Sequence, residues 1–141
     1  MPSRSVVVSS QLLRLARDLR TALDQAFAPT GLTSQQAGLL IHVHTGVTSP
    51  KAAGELLGSD SAGMTRMVDR LVAKGLLERT PDTEDRRAIA LRLTPPGREL
   101  VQTLPAIFER VATRLTAGFD ADHLLDELGR MVTNLSTEPS D

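Results

Sequence analysis

DSAGMTRMVDRLVAKGLLERTPDTEDRRAIALRLT, residues 60–94, is the stretch on which the reading of this 141-residue chain turns. Its first part has helical spacing from roughly Ser61 to Lys74, with Asp60 or Ser59 placed to cap the first free amides. Met64, Met67, Val68, Leu71 and Val72 recur every three or four residues, as one buried stripe requires. Ala62, Thr65, Arg66, Asp69 and Ala73 fall on the opposite side. That side is short-chained near its start and carries one long cation. Such a face suits insertion into a DNA major groove, where small residues allow close approach and arginine bonds base edges or phosphates. A plain solvated helix face is the competing reading.

Gly75 is the expected helix stop. Leu76–Thr80 and Ala88–Thr94 then have strand character, and Ile89, Leu91 and Leu93 alternate with Ala88, Ala90 and Arg92. Between the strands, Pro81-Asp82-Thr83-Glu84-Asp85-Arg86-Arg87 is too polar for a core. A hairpin tip with adjacent arginines beside a candidate recognition helix makes a winged helix. Its tip can reach the minor groove, whose negative potential attracts arginine. The neighbouring acids fit a role in orienting the arginines through charge-assisted pairs.

Four fragments follow one another in register: Met64-Thr65-Arg66-Met67-Val68-Asp69-Arg70-Leu71, Lys74-Gly75-Leu76-Leu77-Glu78-Arg79, Asp85-Arg86-Arg87-Ala88 and Leu93-Thr94-Pro95-Pro96-Gly97. The series resembles the multiple-antibiotic-resistance regulator (MarR) family of bacterial transcription factors, and the flanking helices match in number and length. The resemblance implies a homodimer, a palindromic operator in double-stranded DNA and release by a small molecule or an oxidant. It also implies that Asp85 steadies the wing, although Glu84 is an adjacent alternative. The absence of cysteine excludes thiol-based sensing.

Composition narrows the remaining classes. Aromatic residues make up 2% of the chain, so the core must be aliphatic and methionine-lined. The start lacks a signal-peptide pattern and no segment has the apolar length of a membrane span, so a cytoplasmic protein without membrane contact is expected. The net charge of −1 argues by itself against a nucleic-acid binder. Its distribution answers part of that objection. Residues 61–98 hold eight basic and five acidic side chains, whereas 99–141 hold three and eight. The positive excess is local to the proposed contact surface.

Outside this stretch, Ser5–Ala28 has Val8, Leu12, Leu15, Leu19, Leu23 and Phe27 on one stripe, which the C-terminal pair of helices should cover. Thr33 is placed to cap a second helix running to about Thr45. Ser49–Leu57 forms a short third, with Pro50 tolerated in its first turn. Third and fourth helices then make a helix-turn-helix. After the wing, Thr94 caps a long helix that Pro105 should kink near its middle. Asp120 caps a last helix, and the tail beyond Ser136 is expected to be disordered. His42 and His44 lie two apart and cannot face one way on a helix, so no metal site is expected.

The expected fold is α+β and mostly helical: a winged helix-turn-helix with long N- and C-terminal dimerisation helices. Residues 1–141 form a single domain, 31–94 the DNA-binding lobe, and 1–30 with 95–141 the dimerisation region. The expected function is a sequence-specific transcriptional repressor released from its operator by a small aromatic or phenolic ligand. Ser61, Ala62, Thr65, Arg66 and Asp69 face the major groove, and Asp85, Arg86 and Arg87 form the wing contact. Val8, Leu12, Leu124, Leu128 and Leu135 lie at the dimer interface, where two copies hide the surplus apolar stripes. By the resemblance, a ligand pocket sits between the terminal helices and the lobe. Arg17, Arg20 and His42 are candidates there for binding an aromatic acid. No cofactor is expected. A winged helix serving only as a protein-interaction module is the alternative, and an enzyme is disfavoured because no nucleophile–base pair or phosphate loop is present.

Overall fold

The computed structural model describes residues 1–137, so the tail from residue 138 onward lies outside the described residues, and with it most of the expected disorder. Seven helices and one hairpin follow one another. They are α1 (Arg4–Phe27), a 3-10 turn (Ala28–Thr30), α2 (Ser34–His44), α3 (Pro50–Leu57), α4 (Ser61–Ala73), β1 (Leu77–Pro81), β2 (Ile89–Leu93), α5 (Pro95–Val101), α6 (Leu104–Thr116) and α7 (Ala121–Ser136). Most helix starts are set by a side-chain oxygen that accepts an otherwise free amide. Thr33 and Gln36 form a reciprocal capping box on α2. Ser49 caps α3 through the Ala52 amide at 3.3 Å, and Asp60, rather than Ser59, caps α4 through the Gly63 amide at 2.7 Å.

The core lies under the helix-turn-helix and hairpin. Phe27, Leu39, Leu40, Val68, Leu71, Leu77, Leu91, Val101 and Leu104 are fully buried. Phe27 at the end of α1 meets Phe108 of α6 edge-on, with ring centroids 4.7 Å apart. β1 and β2 pair antiparallel from Leu77↔Leu93 to Pro81↔Ile89. The Leu91 amide also donates to the Thr48 carbonyl at 2.8 Å, which fastens the hairpin to the turn before α3.

Two expectations need correction. The C-terminal helix is not kinked at Pro105 but divided: α5 ends at Val101 and α6 begins at Leu104, with Pro105 in its first turn. Proline cannot donate to residue 101 and its ring crowds that carbonyl, so a fresh start costs less than a continuous helix. The second concerns the cover over α1. α6 packs on it, whereas α7 buries none of its residues. The first half of the α1 stripe, Val8, Leu12 and Leu15, is therefore exposed.

Thr94 joins the hairpin to α5. Its hydroxyl donates to the Gly75 carbonyl and accepts the Gly97 amide at 3.1 Å, while its own amide donates to Leu76 at 3.1 Å. A Cβ at residue 97 would collide with the Leu76 carbonyl oxygen, so only glycine lets α5 approach this closely.

Candidate nucleic-acid interface

α4 exposes one face and buries the other. Met64, Val68 and Leu71 are buried, Met67 is half-buried, and Ser61, Ala62, Thr65, Arg66, Asp69 and Ala73 are exposed as expected. Val72 departs from the expected stripe and is 36% exposed. It lies on the flank next to Leu71, beyond the reach of the core. At Gly63 the structure supplies an internal reason for glycine. A Cβ there would come within 2.7 Å of Ser59 Oγ and 3.0 Å of Asp60 Oδ1, the second of which caps α4.

The wing tip spans residues 82–88. The Asp82 amide donates to the Ala88 carbonyl and the Ala88 amide to the Asp85 carbonyl, both at 3.0 Å. Asp82 Oδ1 accepts the Glu84 amide at 2.9 Å, and Asp85 Oδ1 accepts the Arg87 amide at 3.0 Å. The acids therefore hold the wing through its backbone. Among the described residues neither Arg86 nor Arg87 is in an ion pair, and both are exposed. Asp85 rather than Glu84 makes the contact to Arg87.

Asp69 differs from its expected groove-facing role: its carboxylate pairs with the Arg79 guanidinium on β1. Arg70, the next residue on α4, is exposed and makes no ion pair among the described residues. One helical step separates the two, and only position 69 faces the hairpin. The link joins α4 to the wing and so connects the two candidate contact surfaces.

A model for the MarR family matches residues 30–88. The multiple antibiotic resistance protein MarR of Salmonella typhimurium is 34% identical over 76 residues, which is 53% of this chain and 53% of that protein. The chain thus spans about half the length of the curated relatives it matches. In solved structures, a MarR mutant from E. coli complexed with operator DNA superposes with a TM-score of 0.77 at 25% identity, over 91% of this chain and 95% of that one. CouR from Rhodococcus jostii bound to p-coumaroyl-CoA superposes with a TM-score of 0.83 at 22% identity, over 100% of this chain and 99% of that one. Over residues 30–88 the chain is similar to the MarR family.

The lobe also contains a cleft of about 730 Å³ between α3, α4 and the wing. Pro50, Met64, Val68 and Ile89 give it apolar walls, and Arg79 and Arg87 enter from the hairpin. Arg17, Arg20 and His42 do not line it. Arg20 instead faces Gln35 of α2; with the amide oxygen turned toward it, both guanidinium nitrogens donate at 2.8 and 3.0 Å. His42 is half-buried and Arg17 exposed. Among the described residues, no group of three or more His, Asp or Glu could hold a metal, and no helix is long and apolar enough to cross a membrane.

Fastenings that sequence reasoning missed include Thr48 to Leu91, Asp69 to Arg79, and Lys74 Nζ to the Gly31 carbonyl at 2.9 Å. Residues 10 to 43 apart make them, and periodicity carries no signal at that range.

Proposed function

We propose that this chain is a sequence-specific DNA-binding transcriptional regulator acting as a repressor, and not an enzyme. One observation carries the reading: the exposed face of α4, with Ser61, Ala62, Thr65 and Arg66, stands beside a wing whose arginines are free of ion pairs among the described residues. Thr65 and Arg66 read base edges, while Arg87 enters the minor groove and Arg86 meets phosphate. Asp69 and Asp85 shape these surfaces from within. The MarR of E. coli, to which the chain is similar, is complexed with operator DNA.

The functional unit is a homodimer on a palindrome. Val8 and Leu128 are each 46% exposed and Leu135 is 91% exposed, an apolar surface that a second copy would cover. Recovery of bound fragments from genomic DNA tests the whole reading. A palindrome is expected, and Arg66→Ala should lose affinity for it more than for random DNA. Failure to retain any fragment at moderate salt would favour a protein-interaction module instead.

The finer reading is release by a small aromatic or phenolic acid, and CouR with its p-coumaroyl-CoA is the supporting similarity. Arg17, Arg20 and His42 are the candidates at the junction of terminal helices and lobe. The cleft favours a second location, where Arg79 and Arg87 would take the carboxylate and Met64 and Ile89 the ring. An effector must bind the DNA-competent and incompetent states unequally, since equal affinity shifts nothing. Titration of salicylate into the protein–operator complex, repeated with Arg20→Ala and His42→Ala, assigns the site. Unaltered release in both variants points to the cleft.

A further inference from the structure

The joint between α1 and the lobe is crossed by three polar contacts. The chain turns there through Gly31, with φ at 77°. On the α1 side, Asp24 Oδ1 accepts the Ser34 amide at 2.8 Å, the first residue of α2. Arg20, one helical turn earlier, reaches Gln35. From the far end of α4, Lys74 Nζ donates to the Gly31 carbonyl at the turn itself. α1 is thus tied to the start of α2, and the turn between them to the end of the recognition helix.

Asp24 is the most buried charged group among these fastenings. It is half-buried, whereas Lys74 is exposed. Its carboxylate lies at a helix N-terminus, where free amides and the helix dipole favour negative charge. A charge-assisted bond of this kind is roughly twice as strong as a neutral one. Sequence position alone did not reveal it, because Asp24 lies ten residues before its partner.

We propose that Asp24 is a positioning residue: it latches the Gly31 joint and so fixes the separation of the two recognition helices in the homodimer. The inference rests on the dimeric reading of the terminal helices. α1 carries the exposed apolar stripe that faces the second copy, and the lobe carries α4. A tilt at the joint therefore moves each α4 relative to its twin. Two half-sites a fixed distance apart tolerate little of that motion. Asp24 thereby gives a rigid path from dimer interface to DNA face without touching either.

The chain has no cysteine, so Ala62→Cys places a single spin label on each exposed α4. Dipolar distance measurement on the full-length protein then reads the separation of the two helices directly. One narrow distribution is expected with Asp24 in place, and Asp24→Ala should broaden it at least about twofold. Ser34→Pro removes the same bond from the donor side and guards against misfolding of the first variant. Thr33 is already extended, with φ −79° and ψ 163°, as a residue before proline should be, and proline suits the first position of a helix. Broadening in both variants supports the latch. A distribution as narrow as that of the Ala62→Cys protein in either folded variant overturns it. Absence of any dipolar coupling in Ala62→Cys itself would instead overturn the dimer, and the latch with it.

Discussion

The lobe and the terminal helices carry similar apolar stripes that reach opposite ends. Along α4, Met64, Val68 and Leu71 are buried, and the helix packs against α3 and the hairpin. Along α7, Leu125, Leu128, Val132 and Leu135 are all exposed. α1 joins the two regimes, passing from exposed Val8 through half-buried Leu23 to buried Phe27. A stripe shows only that a helix needs cover. Whether the cover comes from the same chain depends on which neighbours fold back within reach. The lobe satisfies its stripes internally, and the terminal helices leave theirs for another surface.

The sharpest way to break this contrast is to remove the same side chain in both regions. Leu71→Ala empties fully buried volume and should cost about 2–5 kcal/mol in denaturant unfolding. Leu135→Ala removes a side chain that is already 91% exposed and should change the monomer's stability by less than about 0.5 kcal/mol. A large loss for Leu135→Ala at dilutions where only monomer exists would mean that α7 folds back in solution.

Leu128→Glu tests what covers the terminal stripe. Sedimentation at micromolar concentration should give a dimer for the unmodified protein and monomers or aggregates for this variant, because burying an unpaired carboxylate is costly. A monodisperse monomer for the unmodified protein would remove the basis for a second copy.

Much of this fold was legible in the sequence because its signals are local. Thr33, Asp60 and Thr94 each cap a helix through an amide three residues on, and periodicity placed Met64, Val68 and Leu71 inside. The hairpin followed from the Gly75 helix stop, the alternation of Ile89, Leu91 and Leu93, and the polar run between the strands. What escaped depends on contacts between distant residues or on competition at one site. Val72 fits the stripe yet misses the core. Pro105 could kink a helix or restart one, and the choice rests on whether the residue 101 carbonyl can be relieved. Asp69 looked like a groove-facing side chain because nothing nearby in sequence reveals that Arg79 takes it. Arg20 likewise looked available for a ligand until Gln35 came beside it.

A smaller effect is expected within the candidate interface. Arg87→Ala should weaken operator binding by about 1–3 kcal/mol with no loss of folding stability, since its side chain is exposed and only its backbone supports the wing. Unchanged affinity across a salt titration would remove Arg87 from the contact. A loss equal on operator and random sequence would assign it to phosphate rather than to the minor-groove shape.

The smallest change expected in stability concerns Asp69 and Arg79, and it separates bracing from reading. Their side chains are 59% and 34% exposed, so the pair should contribute no more than about 1 kcal/mol to folding. Operator binding is the better measure. If the pair braces the wing against α4, Asp69→Ala and Arg79→Ala should weaken binding to similar extents, and the double variant should be little worse than either. A coupling of about 0.5 kcal/mol or more in that cycle marks a shared role. Base reading by Asp69 predicts the reverse: additive losses, and a changed preference at one operator position in Asp69→Ala alone. The structure favours the brace, because a carboxylate engaged by a guanidinium on the hairpin must first surrender that partner before it can accept from a cytosine amine.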